Sequence, residues 1–212
     1  MNTYKRDNSQ QDSNCFINFF KSIFQDKIKL IVFISIILVV IILIIVIAVV
    51  ASKKKVCGVS KKVYNIALKE LEEHNKYRKL HKVDDLKINC DLMKIAQKYS
   101  EKLQKGNVLM HSGDEYKGDD MGENLYWISL KKYKPPDATY QWYIEIDDYD
   151  FSTGDSKNGK KIGHFTQVVW KETKELGVGV SCGKNGCFVV ANYYPAGNYI
   201  GEFTSNVLEK NR

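Results

Sequence analysis

Proline and cysteine are scarce in this chain, three and five among 212 residues, and glycine is modest at fourteen. These absences exclude a collagen-like, mucin-like or broadly disordered polymer, and an odd, low cysteine count is a poor pattern for a small secreted disulfide scaffold. Excess charge is missing from most of the chain as well. The net +7 divides into eight Lys+Arg against three Asp+Glu over residues 1–60, giving +5, and twenty-four against twenty-two over residues 61–212, giving +2. The larger part is nearly neutral and carries no zinc-knuckle or helix-turn-helix pattern, so no nucleic-acid partner is expected. Also lacking are an internal repeat, a coiled coil, a P-loop, an H-E-x-x-H helix and any Asn-x-Ser/Thr glycan acceptor.

One long apolar run is present. Residues 30–51 read LIVFISIILVVIILIIVIAVVA, with Ser35 the only polar side chain. As a helix this run is ~33 Å long, enough for a ~30 Å hydrocarbon core. Its many β-branched residues are no obstacle, because lipid leaves the backbone no hydrogen-bond partner but itself. The expectation is a single-pass anchor. A cleavable signal peptide competes, since Val49 and Ala51 resemble a small-residue cleavage site, but the apolar region of such peptides is shorter. Lysines flank both ends: Lys21, Lys27 and Lys29 before, and Lys53, Lys54, Lys55, Lys61 and Lys62 after. Read literally, that bias puts the carboxyl-terminal part in the cytoplasm. Residues 1–29 form a polar tail carrying Cys15, and residues 52–61 a basic linker with Cys57.

The remainder, 62–212, reads as one α+β domain. A first helix is expected from near Lys62 to near His81, with Ile66, Leu71 and Leu68 as its apolar stripe. A second follows from Asp91, capped by Asn89, with Leu92, Ile95, Ala96, Tyr99 and Leu103 on one side and Gly106 as its stop. Residues 107–134 show no sustained period and read as a long loop with short helical or extended pieces. Pro135 and Pro136 open a third helix carrying Tyr140, Trp142 or Tyr143, and Ile146. LGVGVSC and CFVVANYY are strands around Gly183–Gly186, a hairpin signal. If those four residues form the loop, Cys182 and Cys187 face each other and can bridge; if Asn185 and Gly186 are the central pair of a tight turn, Cys187 faces Lys184 and cannot. Cys90 reads as a small buried apolar residue, and Cys57 as free, acylated or paired between molecules.

Two of the four histidines sit in contexts with chemical potential: His111 in LMHS and His164 in GHFTQVVW. Glu123 in MGENLYW and Glu145 in QWYIEIDD are acids in comparable settings. Two imidazoles and two carboxylates can together hold a divalent cation, with zinc favoured by nitrogen ligands. They can equally be separate polar residues, because spacing does not establish convergence.

The segments HNKYR, HS, GENL, GHFTQVVWKET and FVVANYYPAGNY resemble, in this order, the CAP superfamily of cysteine-rich secretory, antigen 5 and plant pathogenesis-related proteins, also called SCP domains. The resemblance spans residues 62–208. It implies an α-β-α sandwich whose open cleft is lined by His111, Glu123, Glu145 and His164. It also implies a site associated with divalent metal, sterol or fatty-acyl lipid binding, and recognition of a protein partner. Ala191 stands where many secreted members have Cys, which is similar to the cysteine-poor, Golgi-associated branch. A cytosolic domain is compatible with that branch; the more numerous extracellular relatives favour the outer or lumenal side. A hydrolase is the alternative, using either a zinc-bound water at the cleft or Ser129, which matches a proposed nucleophile of that branch, with one of the cleft histidines.

Overall fold

A computed structural model of the chain describes residues 25–46 and 55–210 in two units. The first contains helix α1, Gln25–Val46, 22 residues long and apolar enough to cross a membrane. All its described side chains are exposed, as suits a helix solvated by lipid, and Ser35 returns its hydroxyl to the Ile31 carbonyl at 2.8 Å. The helix begins five residues before the apolar run. The expected end of the run, residues 47–51, lies outside the described residues, as do Cys15 and the tail before Gln25.

The second unit, Lys55–Arg212, has its own core, with buried apolar residues from Val59 to Val207. Its main elements are α2 (Lys61–Leu80), β1 (Lys87–Ile88), α3 (Cys90–Gly106), the short hairpin β2 (Glu115–Tyr116) and β3 (Asp119–Asp120), and β4 (Gly122–Ile128). They continue with α4 (Asp137–Tyr143), a 3-10 turn over Ile144–Asp148, the pair β5 (Tyr149–Asp150) and β6 (Asp155–Ser156), α5 (Gly163–Val169), β7 (Glu175–Gly183), β8 (Gly186–Tyr194) and α6 (Phe203–Asn206). The central sheet runs β1-β7-β8-β4, antiparallel except for the parallel β1–β7 pair.

Helix α3 covers one face of this sheet. Asn89 caps it as expected, its Oδ1 accepting from the Asp91 and Leu92 amides at 2.8 and 3.1 Å. Leu103, Tyr99 and Ala96 then meet Leu125, Phe188 and Val190. The helix rides directly on two glycines of β7. A Cβ at Gly177 would lie 2.3 Å from the Leu92 carbonyl carbon, and one at Gly179 2.2 Å from the Gln97 nitrogen, so only glycine permits this approach. Helices α2, α4 and α5 pack around the larger core on the other side, completing three layers.

Three expectations need correction. The stretch read as a loop with short extended pieces contains β4, a seven-residue edge strand of the central sheet paired along its full length with β8. Its alternation is hidden because Glu123 and Asn124 are polar for reasons described below. On α2, Leu68 is 40% exposed, and the buried stripe is Ala67, Glu70, His74, Tyr77 and Arg78. Arg78 is accommodated because four donated bonds end on backbone carbonyls: Asp84 at 2.6 Å, Val168 at 3.1 Å, Trp170 at 2.9 Å and Thr173 at 3.0 Å. The readings of Cys57 and Cys90 change too. Cys90 is bonded to Cys57, tying the segment before α2 to the start of α3. Of the two turn geometries left open for the hairpin, the bridged one is found: Cys182 is bonded to Cys187, and Gly183 pairs with Gly186 and leaves Lys184 and Asn185 as a two-residue turn.

Candidate functional site

Strand β4 and helix α5 bring the sequence candidates together. His111 precedes the β2–β3 hairpin, and Glu123 is the second residue of β4, paired with Asn192 of β8. His164 is the second residue of α5. His111, Glu123 and His164 line one open cavity of about 260 Å³, with Asn124, Lys161 and Asn198. A neighbouring hollow of about 480 Å³ shares His111 and Glu123 and extends to Tyr199.

Each imidazole is held by one carboxylate. Glu123 Oε1 is 2.8 Å from His111 Nδ1 and accepts from the Ser112 amide at 2.9 Å. Glu145 Oε1 is 2.6 Å from His164 Nδ1, while its Oε2 accepts from the His164 and Phe165 amides at 3.0 and 3.2 Å. Glu145 therefore caps the first turn of α5 and fixes its histidine at once. Both carboxylates are largely covered, with side-chain exposure of 7% for Glu123 and 17% for Glu145, whereas His111 is 64% exposed. Glu123 Oε2 is buried with no hydrogen-bond partner among the described residues.

This arrangement differs from a ring of four ligands. With Nδ1 engaged, each histidine has only Nε2 free for a ligand, and the acids act as outer partners that set ring orientation, a pattern common behind metal-bound histidines. No group of three or more His, Cys, Asp or Glu able to hold a metal ion occurs among the described residues. The donor set thus fits a cation held by two imidazole nitrogens and completed by water or a ligand, but not one enclosed by protein. Ser129 is elsewhere. It follows the far end of β4, about 20 Å from Glu123 at ~3.3 Å per residue, and lines neither hollow.

Behind the cleft runs a buried polar chain that spacing did not reveal. Asn124 donates to the His164 carbonyl at 3.1 Å and to the Tyr193 hydroxyl at 3.2 Å. That hydroxyl lies 2.8 Å from His74 Nε2, and His74 Nδ1 lies 2.7 Å from the Glu70 carbonyl and 2.9 Å from Thr139 Oγ1. Thr139 donates its hydroxyl to Glu70 Oε2 at 2.6 Å and its amide at 3.1 Å. One consistent polarity has neutral His74 donating from Nδ1 and accepting the Tyr193 proton at Nε2. Desolvation pushes the His74 imidazole down to about 4, which keeps it neutral, and pushes the Glu70 carboxyl up to about 7 against the opposing Thr139 hydrogen bonds. The only sequence hint was three polar residues, Glu70, His74 and Arg78, at helical spacing on α2, with His81 just beyond its end.

Comparison with known proteins is consistent with this geometry. The model of the CAP family, the cysteine-rich secretory protein family, matches residues 71–193. The chain belongs to the CAP family. It is 42% identical over 152 residues to the Golgi-associated plant pathogenesis-related protein 1 of Homo sapiens, covering 70% of this chain and 94% of that protein. It is 41% identical over 142 residues to Protein PRY2 of Saccharomyces cerevisiae, covering 65% of this chain and 40% of that longer protein. Among solved structures, NaASP2 with Zn2+ is similar with a TM-score of 0.54 at 26% identity, covering 71% of this chain and 89% of that one. The α-β-α sandwich of this CAP domain is the part matched in that structure.

Proposed function

We propose that this chain is a membrane-tethered CAP-domain binding protein whose His/Glu cleft takes a divalent cation, zinc first, on His111 and His164. The observation that carries this reading is the pair of imidazoles, each oriented through Nδ1 by its own carboxylate and both lining one solvent-open cavity. Bound there, the cation would supply Lewis acidity and a coordination position for an oxygen or nitrogen donor of the ligand. The chain's own part is to hold two imidazoles in fixed orientation and to leave one side open. The crystal structure of a similar protein with Zn2+ supports the choice of metal. Calorimetric titration of residues 55–212 with zinc tests it: one site is expected, abolished in His111→Ala/His164→Ala. An unchanged isotherm in a variant that still folds would refute the assignment.

The ligand in this reading is a sterol or fatty-acyl lipid, or a protein partner. Val108, Leu109 and Met110, 50–64% exposed, lie just before His111, and Ile200, 98% exposed, follows Tyr199, so apolar side chains flank the polar floor in sequence on both sides. Saturable uptake of cholesterol or palmitate by the same domain is expected, and its absence would remove the lipid part alone. Hydrolysis is the lesser reading: Ser129 is remote from the cleft, which leaves a zinc-bound water as the only one of its two routes that the cleft could serve. The two disulfides favour an outer or lumenal domain, because such bonds persist in oxidising compartments. Protease protection of the full chain in sealed vesicles tests that side.

A further inference from the structure

At the other end of the sheet lies a further hollow of about 640 Å³, formed where α2, the loop after β4 and the β7–β8 hairpin meet. Ile128 pairs with Cys187 at this end of β4, whereas Glu123 pairs with Asn192 at the cleft end, so the two hollows are separated by most of a strand. Its walls are apolar: Ile66, Leu130, Pro135 and the Cys182–Cys187 bridge. The lining also includes three lysines, Lys61, Lys62 and Lys69, and no acid. All three are exposed, and none enters an ion pair among the described residues.

This concentration of one sign is local, because residues 61–212 as a whole carry only +2, from twenty-four Lys+Arg and twenty-two Asp+Glu. The loop that supplies Leu130 and Pro135 adds exposed Lys131, Lys132 and Lys134. Leu130 itself is 55% exposed at the rim. Tyr133, also in the lining, has a buried hydroxyl with no partner among the described residues. A phosphate-bearing headgroup matches the lysines by charge, and the apolar rim matches the first carbons of the chains below it. A polar protein surface would match only the first of these features, and a neutral lipid only the second.

We infer that this lysine-lined groove is a docking surface for a bilayer leaflet carrying anionic headgroups, distinct from the His/Glu cleft. A headgroup lodges between Lys61, Lys62 and Lys69 while Leu130 enters the interfacial region. The surface goes beyond the cleft reading, and either can fail without the other.

The test is flotation of residues 55–212, a unit with its own complete core, with vesicles of phosphatidylcholine alone or with about 30% phosphatidylserine, in EDTA and without sterol or free fatty acid. Those conditions remove the cleft's proposed ligands from the assay. Saturable binding to the phosphatidylserine vesicles and none to the neutral ones is expected, weakening as salt is raised. Lys61→Gln/Lys62→Gln/Lys69→Gln should weaken it more than tenfold, and Leu130→Gln should weaken it without changing the salt dependence. Lys98→Gln/Lys102→Gln/Lys105→Gln removes the same charge from α3, on the opposite face of the sheet, and should change binding less than about twofold. Equal binding to neutral vesicles, no binding at all, or equal losses in the two lysine triples would overturn the inference. So would an unaffected groove triple; thermal midpoints confirm that each variant folds.

Discussion

Replacing Glu70 with Gln should stabilise the domain at alkaline pH and do little at acid pH. Glu70 is fully buried in α2, and its Oε1 has no hydrogen-bond partner among the described residues. Burial raises its folded-state carboxyl from 4.5 to about 7. The folded domain therefore keeps a proton that the unfolded chain releases above about 4.5, so stability falls as pH rises from there to about 7. A displacement of that size costs about 3 kcal/mol once both states have titrated. Gln retains an acceptor for the Thr139 hydroxyl and amide but has no proton to lose. His74 works in the opposite direction: its folded-state value is lowered from 6.5 to about 4, so its stabilising contribution is lost as pH falls through that window. Because His74 is present in both proteins, the difference between wild type and Glu70→Gln isolates the carboxyl. Urea denaturation of residues 55–212 at pH 4.5, 6 and 8 measures it. The variant should gain about 3 kcal/mol relative to wild type between the lowest and highest pH, or about 6–12 °C in thermal midpoint. A difference that does not change with pH, or one that grows toward acid, would refute the reasoning.

Two further substitutions test the packing that positions the cleft. Arg78→Met strands four carbonyls, those of Asp84, Val168, Trp170 and Thr173, and should cost about 4 kcal/mol in urea denaturation at pH 6; a loss below about 1 kcal/mol would show that these carbonyls find other donors. Gly179→Ala forces a Cβ to within 2.2 Å of the Gln97 nitrogen and should destabilise by about 2 kcal/mol or more as α3 lifts off the sheet. A neutral effect there would mean the helix does not ride on β7 as closely as described.

Elements whose buried face is apolar were legible from sequence. Helix α3 shows Leu92, Ala96, Tyr99 and Leu103 at helical spacing behind an Asn89 cap, and β7 and β8 are continuous apolar runs around glycines. Where the interior is polar, the pattern fails. Helix α2 turns Glu70, His74 and Arg78 inward to serve a hydrogen-bonded network, so the apolar Leu68 was misassigned to its core face. Strand β4 begins Gly-Glu-Asn because Gly122 faces the Gln167 side chain, Glu123 holds His111, and Asn124 bridges His164 to Tyr193. The cleft itself depends on contacts 12 and 19 residues apart and on the register of β4 against β8. No local period encodes either; local context singled out the four residues, and the family resemblance supplied their meeting in one cleft. It did not distinguish imidazoles that line the cavity from carboxylates that engage their Nδ1 atoms. The Cys57–Cys90 bond, closing a separation of 33 residues, was equally invisible to spacing.

Anomalous diffraction from crystals of residues 55–212 grown with zinc examines the central assignment most directly. A single strong peak within bonding distance of His111 Nε2 and His164 Nε2, with Glu123 and Glu145 still on the two Nδ1 atoms, is the expected result. Zinc bound at another site, or a vacant cleft at saturating metal, would contradict it.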